Sequence, residues 1–229
     1  MSNPSETLVR WYLRFNGYLT VQNLVVHEPT AGVVPQGAEF DVVGVRFPYS
    51  REVADFQFPR DPDLVCLEKP GATNVVIADV KGGRGTALSD VWLPDTDDAL
   101  QLARLAYLVR WLGFWEREAV ISDVAKDLRQ RRVAEHQNIT IRPIYFGARP
   151  SRQAESVAMP QVLLSHIAEW IVTTRASCWR DQDVAKRSCH DQWDSFIKDI
   201  WNLADPDLPG SVEHKIASIV ALAIGRVLP

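Results

Sequence analysis

The chain has 229 residues, 46% of them hydrophobic, which is enough to bury a real core and excludes a disordered polymer. A formal net charge of -4 excludes a surface that is basic all over, although a local basic groove fits inside an acidic total. Three cysteines, Cys66, Cys178 and Cys189, with no charged-then-apolar leader, argue against a disulfide framework and for a reducing cytoplasm, and no apolar run reaches the roughly 20 residues of a membrane span.

The opening stretch NPSETLVRWYLRFNGY predicts a helix with Asn3 as N-cap, Pro4 at its first position and Gly17 as a left-handed stop. YLTVQNLVVHE suits a first strand, and EFDVVGVRF, residues 39–47, a second rich in β-branched residues. Residues 48–70 are polar and proline-rich without a sustained period and read as a loop or excursion. NVVIADVK, residues 74–81, is the third strand. From Asp98 to Leu112 apolar residues cover nearly the whole circumference of a predicted helix, with the acids of 95–98 as cap and first turn. SDVAKDLRQRRVAEH predicts a more polar helix capped at Ser122 or Asp123, and NITIRPIYFG a further strand. The remainder reads as helical over 159–174, 191–203 and 212–227. This order gives an α/β fold with a mixed sheet flanked by helices over residues 1–150, followed by a helical region over 151–229 packed on that core.

The chemistry concentrates in the third strand. Side chains two apart on a strand share a face about 6.5 Å from each other, so Asp79 and Lys81 emerge side by side. The rest of the strand is apolar on both faces and belongs inside a sheet, where an uncompensated charge is costly. On the second strand Asp41 shares a face with Val43 and Val45, with Glu39 beyond it. Two acids on neighbouring strands beside a lysine are the oxygen donors and counter-charge that suit Mg²⁺ or Mn²⁺ shared with a substrate phosphate.

Glu6 in the first helix, EFD ending in Asp41, DVK as Asp79 to Lys81, and Gln101 in the following helix together resemble the PD-(D/E)XK nuclease superfamily, whose fold is restriction-endonuclease-like. The segment GAEFDVVGV is similar to the second motif of Holliday-junction-resolvase-like members, with Phe40 in place of proline before the aspartate. The resemblance covers roughly residues 1–147 and rests on a handful of positions. It implies that Asp41, Asp79 and the Val80 carbonyl hold a metal, that Glu6 binds through water or a second metal, that Lys81 positions the attacking water, and that Gln101 orders the lysine or that water. It further implies a Mg²⁺- or Mn²⁺-dependent nuclease acting on nucleic acid, DNA before RNA. Gly82 and Gly83 would let a phosphate approach, and Arg84 would contact the nucleic-acid backbone. A two-fold dimer is the prior for enzymes that cut both strands, and partner proteins encoded elsewhere are compatible with the absence of a separate DNA-reading segment.

Plainer readings stand beside these. Asp79 and Lys81 can be a structural ion pair, and Asp41 a strand-end acid paired with Arg46. Glu6 sits at the capping-box position after Asn3, and Gln101 with Arg104 can be a pair bonded near a helix end. Lys126, Arg129, Arg131 and Arg132 read as a solvated face, and the eight tryptophans as core except Trp92, a candidate stacking platform. The histidines and cysteines show no metal-site spacing. Two other functions remain open: a catalytically silent nucleic-acid- or protein-binding module on the same fold, and an assembly protein whose helical tail is the interface.

Overall fold

The computed structural model describes residues 3–26, 38–50, 59–83, 85–94, 96–176, 178 and 194–225. Arg84, Asp95, Cys189, His190, Asp191, Trp193 and Val227 therefore lie outside the described residues. Helix α1 (Pro4–Phe15) begins at Asn3, whose side chain accepts the Ser5 N–H, and ends before Gly17, which adopts φ +86° as a left-handed stop requires. Strands β1 (Leu19–Val26) and β2 (Ala38–Arg46) pair antiparallel, and β2 pairs antiparallel with β3 (Thr73–Lys81). A short helix, α2 (Pro62–Val65), precedes β3, and a single 3₁₀ turn, Asp90–Trp92, follows it.

Helices α3 (Asp98–Leu112) and α4 (Glu118–Arg131) form the crossover to β5 (Ile139–Gly147), which lies parallel to β3. The far edge of β5 is shared: β4 (Ala134–His136) pairs with its first residues and β6 (Gln161–Leu163) with its last. The result is a mixed, open, six-stranded sheet in the order β1-β2-β3-β5-β4, with β6 also on β5. After α5 (Arg152–Ser156) and β6 come α6 (Leu164–Trp170), a wider π-helical continuation over Ile171–Arg175, α7 (Ser195–Ala204) and α8 (Val212–Ala223).

Each face of the sheet carries its own core. Val42, Val76, Ala78, Val80, Ile144 and Phe146 pack with α1 and with α6 to α8. Val43, Val75, Ile77, Ile141 and Tyr145 pack with the 3₁₀ turn, α3 and α4. Strand β3 is buried from Asn74 to Val80, as a central strand covered on both faces must be. The region after residue 150 supplies a strand of the sheet as well as helices.

Several expectations are corrected. The polar helix is capped at Arg117 and begins at Glu118, a turn before the expected cap at Ser122 or Asp123, and stops at Arg132, which takes a left-handed φ of 58°; Ala134–His136 is strand, pinned by pairing with β5. Residues 161–163, expected to be helical, form β6. Trp92 is 1% exposed and belongs to the core, whereas Trp111 is half exposed. Arg129 and Arg132 are buried rather than solvated, because carbonyl oxygens of the 3₁₀ turn and the Asp98 carboxylate take their guanidinium protons. Among the described residues no helix is long and apolar enough to cross a membrane.

Candidate active site

Asp41, Asp79 and Lys81 meet at the end of the sheet where β3 and β5 terminate side by side, Lys81 paired with Gly147. That end of a parallel pair, where the strands' carboxyl termini leave a crevice, is where open α/β sheets place ligands. The β2–β3 ladder stops at Val42 and Ala78, and one step further Asp41 stands across from Asp79. On its other flank β1 is interrupted too: Asn23 adopts φ +55° between the pairs Gln22 with Val42 and Leu24 with Phe40. The next free donor of β3, the Val80 N–H, goes to a side chain instead of a strand, reaching Asp41 Oδ2 at 2.6 Å. Val80 thus meets Asp41 through its N–H.

Asp79 is 2% exposed. Its Oδ1 is ion-paired with Lys81 Nζ, and its Oδ2 accepts the Ser89 N–H at 2.8 Å. Lys81 Nζ also lies 3.9 Å from Asp41 Oδ2 and 3.4 Å from Ser89 Oγ. The plain reading of Asp41 as a partner of Arg46 fails, since Arg46 sits at the opposite end of β2 beside Glu68. Asp41 takes a single hydrogen bond from the protein, and its side chain stays partly open to solvent. Burial pushes its carboxyl up to about 6, with the negative charges of Asp79 and Glu6 adding to the effect, against the Val80 N–H and Lys81, which lower it. Its Oδ1 accepts no hydrogen bond from the described residues.

Glu6 faces the same group from α1. Its Oε1 accepts from Asn3 Nδ2 at 2.7 Å and its Oε2 from Gln22 Nε2 at 3.2 Å, so it bonds side chains and not the backbone N–H of a capping box. Gln101 is buried, but its amide oxygen accepts from Arg104 Nη1 at 3.1 Å, one turn along α3, and it makes no bond to Lys81. Glu39 is exposed. The two glycines differ: a Cβ on Gly82 would lie 1.8 Å from Ser5 Oγ, so Gly82 admits α1 rather than a ligand, whereas Gly83 faces open space. The same Ser5 hydroxyl donates to Ala223 O at 2.6 Å, tying the end of α8 to the start of α1 next to Glu6.

Ser89 carried no sequence signal, lying in an aperiodic stretch between β3 and α3. A second group was equally hidden. Asp61, Asp63 and His166 bring one ligand atom each within 4.8 Å of one another and could hold a metal ion. Asp61 is fully buried, and its Oδ2 already accepts from Tyr12 Oη at 2.8 Å and meets His166 Nε2 at 2.8 Å, while Oδ1 takes the Asp63 N–H at 2.9 Å. Burial acts to raise the Asp61 pKa, but the bonds from His166, Tyr12 and Asp63 outweigh it and hold the carboxyl below its ordinary value. The hydrogen bond to Asp61 correspondingly raises His166.

Compared with protein-family models, curated proteins and solved structures, the chain matches none of them.

Proposed function

We propose that this protein is a metal-dependent nuclease hydrolysing phosphodiester bonds, with DNA as the preferred substrate, on a restriction-endonuclease-like variant of its mixed sheet. The observation that carries the reading is the convergence of Asp41, Asp79 and Lys81 at the strand end where the β2–β3 ladder opens, with Asp41 left short of donors. A half-buried carboxylate with one protein hydrogen bond and part of its surface open to solvent is suited to an external cation. The order of a helix, an antiparallel β1–β2–β3 meander, a helical crossover and the parallel strand β5 supports the fold assignment.

The donors fit a hard divalent ion. Asp41 and Asp79 would hold Mg²⁺ or Mn²⁺, with Glu6 behind Asp41. When bound, such an ion neutralises phosphate oxygens and lowers the pKa of a water. The chain's own part is to seat the two carboxylates by the Val80 and Ser89 N–H groups and to hold the Lys81 ammonium beside them. There the ammonium can orient an attacking water or stabilise charge developing on a phosphate oxygen. Gln101 bonds Arg104, and Gly83 leaves the approach open.

The test is incubation of the purified protein with linear, circular, single-stranded and branched DNA and with RNA, in Mg²⁺ or Mn²⁺, against EDTA, Asp79→Ala and Lys81→Ala. Metal-dependent cleavage lost in both variants is the expected result. Nucleic-acid binding without cleavage under every condition would replace the enzyme by a silent binding module.

A further inference from the structure

Resting on that reading of the site, we infer that Ser89 is a positioning residue for Lys81, acting through its hydroxyl, while its backbone fixes Asp79. Serine at the N-cap of a helical turn ordinarily turns its hydroxyl onto the turn's own N–H groups. Ser89 stands at that position before the 3₁₀ turn Asp90–Trp92 and makes no such bond. Its Oγ instead faces Lys81 Nζ at 3.4 Å, and its N–H goes to Asp79 Oδ2 at 2.8 Å. One residue thus contacts both members of the ion pair through two separate atoms.

The segment carrying Ser89 is built to stay in place. Before it, the Leu88 N–H donates to Gln153 Oε1 at 2.9 Å, and Ser151 Oγ donates to Thr86 O at 2.6 Å, which fastens the return from β3 to α5. After it, two buried arginines from the end of α4 grip the turn's carbonyls: Arg129 Nη1 on Val91 O at 3.0 Å and Arg132 Nη2 on Trp92 O at 2.7 Å. Leu88, Val91 and Trp92 are themselves buried. A hydroxyl held on such a platform gives the Lys81 ammonium a second fixed acceptor beside Asp79. If a divalent ion takes the Asp79 oxygen, the lysine keeps that acceptor and stays in the site. Arg129 and Arg132 then serve the chemistry at one remove, as the clamp that places Ser89.

Because the carboxylate contact uses the backbone, Ser89→Ala removes only the lysine contact. The experiment compares wild type, Ser89→Ala and Ser89→Thr by two readouts. The first, in metal-free buffer, is the acylation rate of Lys81 by a limiting amine-reactive reagent, followed by peptide mass spectrometry with Lys198 as internal reference. The second is kcat and KM for Mg²⁺-dependent DNA cleavage. Loss of one hydrogen bond to a charged group predicts roughly five-fold faster Lys81 acylation and roughly five-fold lower kcat at unchanged KM in Ser89→Ala, with Thr restoring both. Unchanged Lys81 acylation in a folded Ser89→Ala protein would overturn the inference, as would failure of Thr to restore it. If no variant, wild type included, cleaves nucleic acid, the nuclease reading fails while the acylation rates still decide whether Ser89 holds Lys81.

Discussion

Asp61 is a fully buried carboxylate and Asp41 a half-buried one, each next to a basic side chain, and their acidities move in opposite directions. Asp61 is fully buried yet held below its ordinary pKa, because Tyr12, His166 and the Asp63 N–H fill its acceptor sites. Asp41 is pushed up to about 6, because burial and the neighbouring charges of Asp79 and Glu6 are met by one backbone N–H and a lysine 3.9 Å away. The lesson concerns satisfaction rather than burial. A carboxylate whose lone pairs the protein fills is a fastener, here joining α1, α2 and α6. A carboxylate left wanting stores unfavourable energy that an external cation can relieve.

The sharpest way to break the comparison is to remove each carboxylate. Asp61→Ala strands the Tyr12 hydroxyl in the core and removes the N-cap of α2, so it should cost about 3–5 kcal/mol in chemical denaturation. A loss below about 1 kcal/mol would show that Asp61 fastens little. Asp41→Asn should do the reverse. A shift from 3.8 to about 6 corresponds to about 3 kcal/mol at roughly 1.4 kcal/mol per unit. The folded state holds the Asp41 proton more tightly than the unfolded chain, so wild-type stability in metal-free buffer should fall as pH rises from about 4 through 6. Asp41→Asn, which never ionises, should escape that fall and melt higher than wild type at pH 8 while losing Mg²⁺ binding in calorimetry. Equal melting temperatures at pH 8 would mean that Asp41 is not strained.

The smallest expected effect sharpens the other arm. His166 is raised by its bond to Asp61, so its share of stability is complete below the unfolded histidine value near 6.5 and is lost as pH climbs through the raised folded value. Substituting His166→Gln should flatten the stability profile above about pH 6.5 by a fraction of a kcal/mol, because the imidazole is partly open to solvent. Zn²⁺ or Mn²⁺ titrated into an Asp41→Asn, Asp79→Asn double variant separates the sites further. A melting temperature that does not move is expected if Asp61 is a fastener, whereas a rise lost on Asp63→Asn would make the second group a metal site.

Much of the architecture is local and was legible. Helix α3 spans the residues its periodicity gives, Asp98–Leu112, and β3 differs from its apolar run by one residue. The two-residue period puts Asp79 and Lys81 on one face, and β-branched residues mark β2 beside them. Patterns failed where a distant partner decides the state. Ala134–His136 becomes strand because β5 offers a ladder, and Arg129 and Arg132 are buried because the turn at Asp90–Trp92 offers carbonyls some 40 residues away. Asp61 and His166 lie 105 residues apart, beyond any spacing rule.

By itself, then, the sequence determined which segments are helix or strand over their long periodic runs, and that an acid and a lysine leave β3 together, because periodicity and side-chain alternation are properties of a few consecutive residues. The tertiary structure alone decided that Asp41 faces Asp79, that Ser89 reaches both Asp79 and Lys81, and that Gly82 is filled by Ser5. Those outcomes depend on where the β2–β3 ladder stops and how the return loop packs, and both are set by contacts between residues far apart in the chain.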